Sequence, residues 1–504
     1  MSAQPLPRDV KKALDLLRAN LAHDWKIDDL AELCQVPRRT LENHFKRFLG
    51  ISPREFLQTE RFGEVRRALL RAPPGATVTK VAINYGLNHL GRFSVAYRDR
   101  YGENPKDTLR RRRISSPANP IPARTALFAD RPSLAILPFD LVGPGSAYAS
   151  EIGREVAAAL HRTGWVNIVP PPAGRYHLSG SAKNEGAGAL RIGMTLLDRS
   201  AGRLLWADFS HCSGRDLSAS SEWFSNIVSG VLVSVLRSAE IDRAARHAPE
   251  RLKAWELCMR ALPAVLAADP KAHSAALDLL EQAMEFAPQD PVPISLAAWS
   301  HGLCAGHHFT DNPSLERALS LRLASGGSLL CAGDPLSNAM LSAAYMLAHD
   351  LVAAEVHARQ ALAIDGGSAW GWGRLAWVHV YRGETTEAFE CCQIARALSP
   401  SDPLGFLWSI GIAAANFELG LYDRAVQWYR RALTDQPRAI WINRFLAPAL
   451  TFAGRREEAG ASLSRLLGTF PQLTVGQVRT ALPHTDRLLD RVAEGLETLG
   501  LRYA

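Results

Sequence analysis

Arg38, Arg39, Glu42, Asn43 and Lys46 fall on one side of a helical pattern, while Leu41, Phe45 and Phe48 recur on the other at the three- and four-residue spacing of a buried stripe. The polar set has the chemistry of a base-reading surface. Arginine can bond guanine O6 and N7 with two parallel contacts, asparagine can do the same for adenine N6 and N7, and glutamate can accept from cytosine N4. Lys46 suits a phosphate. Such a face is ordinarily a solvated one, but in this chain the layout around it is present twice.

In the first copy, Lys26 to Cys34 patterns a helix with Ile27, Leu30, Ala31 and Leu33 on one side. A three-residue turn then leads into the helix Arg38 to Leu49. This is the helix-turn-helix layout, in which the second helix enters the major groove with its N-terminal residues foremost. The second copy begins at Thr77, where Val78, Val81, Ala82 and Tyr85 pattern a helix and Gly86 opens the turn. His89 to Tyr101 follows, with Phe93, Tyr97 and Tyr101 inward and Leu90, Gly91, Arg92, Ser94, Val95 and Arg98 near the groove-facing side. Pro53 to Arg71 joins the copies as one helix of about 18 residues, or roughly 27 Å at 1.5 Å per residue. A stiff strut of that length can hold two recognition helices near the roughly 34 Å separation of successive major grooves.

Charge agrees with a polyanion partner. Residues 1 to 113 hold 23 Lys+Arg against 13 Asp+Glu, a net +10 within a chain of net +8, so the remainder is close to neutral. A small basic unit beside a near-neutral body is the electrostatic footprint of a nucleic-acid binder.

The N-terminal region resembles the DNA-binding domain of the AraC/XylS family of bacterial transcription regulators over about 95 residues. The resemblance is carried by Asp29, Leu30, Ala31, Leu41, Phe45, Gly50, Pro53, Phe56, Arg61, Ala68, Leu69, Leu70, Val81, Ala82, Tyr85, Gly86, Phe93, Tyr97, Gly102, Pro105 and Leu109. It implies that the base-contacting positions fall on Arg39, Glu42 and Asn43 in the first unit, and on Leu90, Gly91, Arg92, Ser94 and Val95 in the second. Gly91 and Val95 offer little hydrogen bonding, so sequence is expected to be read chiefly by the first unit. Family members usually carry this domain at the C-terminus, whereas here it comes first.

Beyond it, four consecutive arginines from Arg110 lead into a proline-bearing stretch with no apolar periodicity, read as a linker over 114 to 132. From 133 to 240 the signals are mixed. Ser133 to Phe139 and Val166 to Val169 are short apolar runs, and Ala149 to Leu160 is helical in spacing. Tyr176 to Ala182 and Leu190 to Leu197 alternate, Asp198 to Gly202 is a polar turn into Arg203 to Phe209, and Ser218 to Leu236 closes the unit as a helix. These segments resemble the TolB-like α/β domain, found in some bacterial regulators between a DNA-binding or cyclase module and tetratricopeptide repeats. In the related CadC-like arrangement a membrane helix precedes that domain. Here the proline-rich linker stands in its place, which implies an intracellular version without assigned catalytic residues.

From about 250 to 504 the chain repeats itself. Ala354, Ala388, Ala425 and Ala459 are each followed seven residues later by Ala361, Ala395, Ala432 and Leu466, and then by Gly366, Pro400, Pro437 and Pro471 where a helix must end. The unit with Trp372, Leu375, Ala376, Gly383, Ala388, Ala395 and Pro400 resembles the tetratricopeptide repeat. Five or six stacked helix pairs are expected, since one pair cannot bury its apolar face alone. Trp370, Trp372, Trp377, Tyr381, Phe406, Trp408, Trp428, Tyr429 and Trp441 crowd one part of this array. Most are expected to pack between helices, with two or three facing a groove that takes a protein, peptide or small-molecule effector.

Other functions find little support. The seven cysteines are scattered without a Cys-x-x-Cys pair, so neither a disulfide framework nor a zinc site is indicated. Cys391 and Cys392 read as small buried residues, and His307 and His308 lack a second ligand pair. No phosphate loop, catalytic cluster or cofactor motif is found. The N-terminal residues lack the apolar run of a signal peptide, and the most apolar stretch, Ile227 to Leu236, is about half of what a bilayer requires. The sequence therefore describes a multidomain cytoplasmic regulator, not an enzyme: an all-α double helix-turn-helix domain, a small α/β domain and an all-α repeat superhelix. Double-stranded DNA is its partner and a homodimer is left open. The alternative is an interaction scaffold whose repeats do the main work and whose N-terminal unit is a secondary DNA anchor.

Overall fold

The computed structural model describes residues 7–19, 21–23, 25–49, 52–71, 77–87, 90–101, 104–106, 108–109, 130–142, 146–186, 189–267 and 270–503. Residues 114–129 of the expected linker, and Gly50 and Gly102, lie outside them. The chain divides into two units, Met1–Ile121 and Pro122–Ala504.

In the first unit the helices are α1 (Arg8–Ala19), α2 (Ile27–Leu33), α3 (Arg38–Leu49), α4 (Pro53–Arg71), α5 (Val78–Asn84) and α6 (Leu90–Tyr101). They enclose two cores. Val10, Leu14, Leu17, Leu30, Leu41 and Phe45 fill the first, and Val81, Ala82, Phe93 and Tyr97 help to fill the second. Helix α4 belongs to both, giving Phe56 and Leu57 to the first and Phe62, Val65 and Leu69 to the second. Its start is set locally. The Ser52 N–H donates to Glu55 Oε2 at 2.7 Å and the Glu55 N–H donates to Ser52 Oγ at 3.2 Å, a reciprocal capping box with Pro53 in the first turn.

The second unit opens with a mixed sheet of strands β1 (Ser133–Ile136), β2 (Asp140–Val142), β3 (Asn167–Ile168), β4 (Tyr176–Gly186), β5 (Ala189–Asp198) and β6 (Arg203–Ser213). Their order is β3-β1-β4-β5-β6, with β2 also beside β4; the first part is parallel and β4-β5-β6 an antiparallel meander. The β5–β6 turn follows from Asp198, whose Oδ1 accepts the Ser200 and Ala201 N–H groups at 3.0 and 3.1 Å, and from Gly202 at φ +62°. Helices α7 (Ser146–Thr163) and α8 (Gly214–Ala245) pack on the sheet. Leu178, Ile192, Met194 and Leu196 are buried, whereas Arg191, Thr195 and Leu197, alternating with them, are exposed.

Six helix pairs follow: α9 (Ala254–Ala267) with α10 (Pro270–Phe286), α11 (Pro291–Gly306) with α12 (Pro313–Leu330), α13 (Pro335–Leu347) with α14 (Leu351–Ile364), α15 (Ala369–Arg382) with α16 (Thr385–Leu398), α17 (Gly405–Glu418) with α18 (Tyr422–Asp435), and α19 (Asn443–Phe452) with α20 (Arg456–Thr469). Helices α21 (Val475–Ala481) and α22 (Asp486–Thr498) close the described chain. The repeated small residues Ala354, Ala361, Ala388, Ala395, Ala425, Ala432 and Ala459 are all 0% exposed, because paired helices approach closely only where neither carries bulk. This body is consistent with tetratricopeptide-like repeats.

Sheet and repeats share one continuous core. Arg131 and Pro132, at the end of the segment read as linker, are buried, and Arg131 Nη1 meets Asp334 at 3.1 Å. Helix α8 lies against the repeats, with Gly230 under the Leu398 carbonyl and Arg237 paired to Asp402 at 3.1 Å. Trp165 of the sheet region packs edge-on against Trp255 and Trp370, with ring centroids 5.6 and 5.9 Å away. The Phe224–Ala245 stretch of α8 is long and apolar enough to cross a bilayer, but its buried side faces the sheet and the repeat helices.

Candidate nucleic-acid interface

Helix α3 turns Leu41 and Phe45 into the first core at 0% exposure, which leaves the opposite face to solvent. The turn before it contains Gln35 at φ +58°, and the N–H of Val36 returns to the Ala31 carbonyl at 3.1 Å. On the outer face, Arg39 and Asn43 are exposed and have no hydrogen-bond or ion-pair partner among the described residues. Lys46 is exposed as well and helps to lower the pKa of Glu55, behind the Ser52 hydrogen bonds. Arg38 is placed differently. Its Nη1 meets Asp28 of α2 at 3.1 Å and its Nε meets Glu42 at 3.2 Å, so its charge is already engaged by two carboxylates at the surface. The hydrogen bond that Arg38 donates to Glu42, followed by the charge of Asp28, raises the Arg38 pKa.

In the second helix-turn-helix copy, Phe93 and Tyr97 are buried at 3% and 0%, with their rings 5.4 Å apart. Gly91, Val95 and Arg98 face solvent, Ser94 is half-buried, and a Cβ added at Gly91 would meet nothing within 4 Å. The side chains of Leu90, Arg92, Tyr101 and Phe48 lie outside the described set. The second recognition helix therefore presents an open surface with one described guanidinium, that of Arg98.

Arg61 on α4 ties the two copies together. Its Nε donates to the Leu21 carbonyl at 2.7 Å, Nη2 to the His23 carbonyl at 2.7 Å and Nη1 to the Gly86 carbonyl at 3.3 Å. Gly86 takes φ +74°, and a side chain there would run into this guanidinium. One charged fork thus fixes the loop after α1 and the turn of the second copy to the same point on the strut.

Sequence reasoning missed some of this. Helix α1 was not read as an element, although Val10, Ala13, Leu14 and Leu17 stand at helical spacing and all enter the first core. Leu33, expected inside, is 47% exposed, and Cys34 takes the buried place one residue later.

Most of the aromatic residues of the repeats pack inside the array. Trp370, Trp377, Tyr381, Phe406, Trp408, Tyr429 and Trp441 are all buried, Trp408 against Gly373, and only Trp372 and Trp428 are part-exposed. Arg396 covers Trp428 at 4.8 Å, and the Trp372 indole donates to the Gly366 carbonyl. A cavity of about 40 Å³ lies between α8 and the repeats, lined by Trp165, Arg237, Trp370 and Asp402, room for water but not for a metabolite. Cys391 and Cys392 are buried, and burial pushes the Cys391 thiol up to about 11. His307 is stacked on Trp441 at 3.9 Å and His307 and His308 both accept from Arg444.

With two helix-turn-helix copies on one strut, the first unit defines a DNA-binding module. Residues 30–111 match the family model described as a helix-turn-helix domain, and are an AraC-type DNA-binding domain. The same region is 33% identical over 102 residues to a XylDLEGF operon transcriptional activator of Pseudomonas putida, covering 20% of this chain and 32% of that protein. It is 34% identical over 106 residues to a probable thc operon regulatory protein of Rhodococcus erythropolis, covering 21% and 32%. Among solved structures, a probable AraC family transcriptional regulator from Rhodopseudomonas palustris is 30% identical, with 21% of this chain and 97% of that one covered and a TM-score of 0.20. The chain spans about a third of the length of the curated relatives it matches.

Proposed function

We propose that this chain is a sequence-specific transcription regulator that reads duplex DNA through α3 and α6, and whose sheet and repeats receive the signal that sets its activity. The observation that carries the reading is the pair Arg39 and Asn43, exposed and unpartnered on a helix whose other face is anchored in a core. Both side chains are matched to purine edges in the major groove. Arg38 and Glu42, satisfied by each other and by Asp28, enter the groove only if those bonds are exchanged for bonds to DNA. Leu90, Arg92, Ser94 and Arg98 complete the surface on the second unit, with Arg98 a phosphate contact and Val95 an apolar one. The relatives named as operon activators support control of transcription. The sheet is read as the relay, in line with its TolB-like sequence pattern, since it shares a core with the repeats.

Unbiased selection of binding sites by the full chain at physiological ionic strength tests this. A site with two half-elements about one helical turn apart is expected. Recovery of random sequence would overturn it.

A further inference from the structure

The interior of the repeats is covered from its C-terminal side by the chain itself. Between α21 and α22, Leu482 to Thr485 is extended, with φ −132° and ψ 149° at Leu482 and φ −60° and ψ 147° at Thr485. Side chains hold this stretch. Arg317 Nη2 donates to the Thr480 and Ala481 carbonyls at 2.8 and 3.0 Å, and Leu482 lies against Gly306, where an added Cβ would come within 3.0 Å of it. His484, 7% exposed, points its ring edge-on at Tyr381 and Phe445, with centroids 4.6 and 5.4 Å away, and faces Trp377 at 6.5 Å.

The fit of His484 in this seat is good in shape and poor in chemistry. Neither of its ring nitrogens has a hydrogen-bond partner among the described residues, and burial beside Arg444 pushes its pKa down to about 3, so it is neutral near pH 7. Arg444 is 0% exposed, with its guanidinium 5.0 Å from the Phe445 ring. It donates to the Gly306 carbonyl, His307 and His308, yet its Nε is unpaired and no carboxylate bonds to it among the described residues. The indole N–H groups of Trp377 and Trp441 are buried and likewise without a partner among the described residues. Arg444 and Trp377, each with an idle N–H donor, thus neighbour a neutral ring that accepts from neither, and Trp441, with a third, lies against the same guanidinium at 5.4 Å. Buried donors without acceptors are rare in folded proteins because they forgo water for nothing.

We propose that the cluster of Trp377, Tyr381, Trp441, Arg444 and Phe445 is a binding site for a small oxyanion, a carboxylate or a phosphate, and that Leu482 to Thr485 is an internal occupant that the anion displaces. An anionic oxygen in the place of the imidazole supplies the acceptor and the countercharge that this seat lacks. Binding then costs the release of the extended stretch, so it changes how α22 is held against α19. The inference rests on the reading of the repeats as the receiving part, and gives that reading a ligand class.

The test uses the full chain with sodium succinate and sodium phosphate as probes and sodium chloride at matched ionic strength as control. The wild type should melt at a higher temperature with one of the two oxyanions than with chloride, and cleavage by a protease at residues 482–485 should increase. Which oxyanion acts separates carboxylate from phosphate ligands. His484→Ala should tighten binding about tenfold, because the competing occupant is weakened. Arg444→Gln should abolish the response; should that variant not fold, Trp377→Phe should weaken it without loss of the fold. No difference between oxyanion and chloride in either wild type or His484→Ala would overturn the proposal, as would an equal response in Trp377→Phe. A protein that selects operator DNA but ignores both probes would sink this site alone and leave the DNA-binding reading intact.

Discussion

The guanidinium of Arg61 holds the Gly86 carbonyl at 3.3 Å, and the left-handed backbone of Gly86 keeps the space that this guanidinium fills. The strut helix and the second turn are therefore matched to each other, and the first unit is joined at the same point through Leu21 and His23. Arg61→Ala removes three charge-assisted bonds and should cost about 2 kcal/mol locally. Hydrogen exchange of the amides around Gly86 should speed up, with weaker operator binding, while exchange in the repeats stays as it was.

Arg39→Ala and Asn43→Ala should each weaken binding to the selected site by about 1 to 3 kcal/mol and have little effect on scrambled DNA. Arg98→Ala should weaken both alike and lower the slope of log affinity against log salt by about one. Fluorescence anisotropy titrations on the two duplexes at several salt concentrations distinguish these outcomes.

The exposed pair Asp28–Arg38 should add little to stability, at most about 1 kcal/mol. Its effect on binding is expected to be larger. Asp28→Asn leaves Arg38 held by Glu42 alone and removes a negative charge beside the groove-facing helix, so affinity should rise and its salt dependence steepen. Unchanged affinity would show that Arg38 stays clear of the DNA.

Arg237 and Asp402 are paired with side chains 1% and 3% exposed, and the Trp370 indole donates to the same carboxylate at 3.2 Å. Removing one partner leaves a buried charge alone. Asp402→Asn or Arg237→Met should each lower stability by about 3 to 5 kcal/mol, whereas the double change should cost much less than their sum. Thermal melting of the four proteins gives the coupling. Gly230→Ala, which sets a methyl against the Leu398 carbonyl, should part α8 from the repeats at a cost of about 1 to 3 kcal/mol.

Acid should destabilise the repeats. Burial lowers His307 well below its ordinary value, His308 and His484 to about 3 and His357 to about 4. At neutral pH all four are uncharged in the folded and unfolded states, so stability there is flat with respect to them. Below the ordinary histidine value of 6.5 only the unfolded chain takes up these protons, so stability falls as pH drops toward about 4. Each group contributes at most about 1.4 kcal/mol per pH unit. A melting temperature that does not fall between pH 7.5 and pH 5 would contradict this.

Much of the architecture is written in short-range pattern. The stripe Leu41–Phe45 and the pair Phe93–Tyr97 revealed both recognition helices, Gly86 marked the second turn, and alanines seven residues apart marked the helix pairs. Alternation in β4 and β5 and the turn at Asp198 were equally readable. Helix periodicity, strand alternation and turn chemistry depend on neighbours a few residues away, so one chain suffices to display them.

Partnership is another matter. Nothing near Arg38 in sequence says that Asp28 will take it, and Arg131 meets Asp334 across 203 positions and Arg237 meets Asp402 across 165. The aromatic residues of the repeats are expected from sequence mostly to pack, but which of them do so follows only once α8, Trp165 and the stretch around His484 are placed on them. Which charges are spent inside the fold and which stay available to DNA depends on distances between segments remote along the chain. Side-chain periodicity carries no information about those distances; only the packed molecule does.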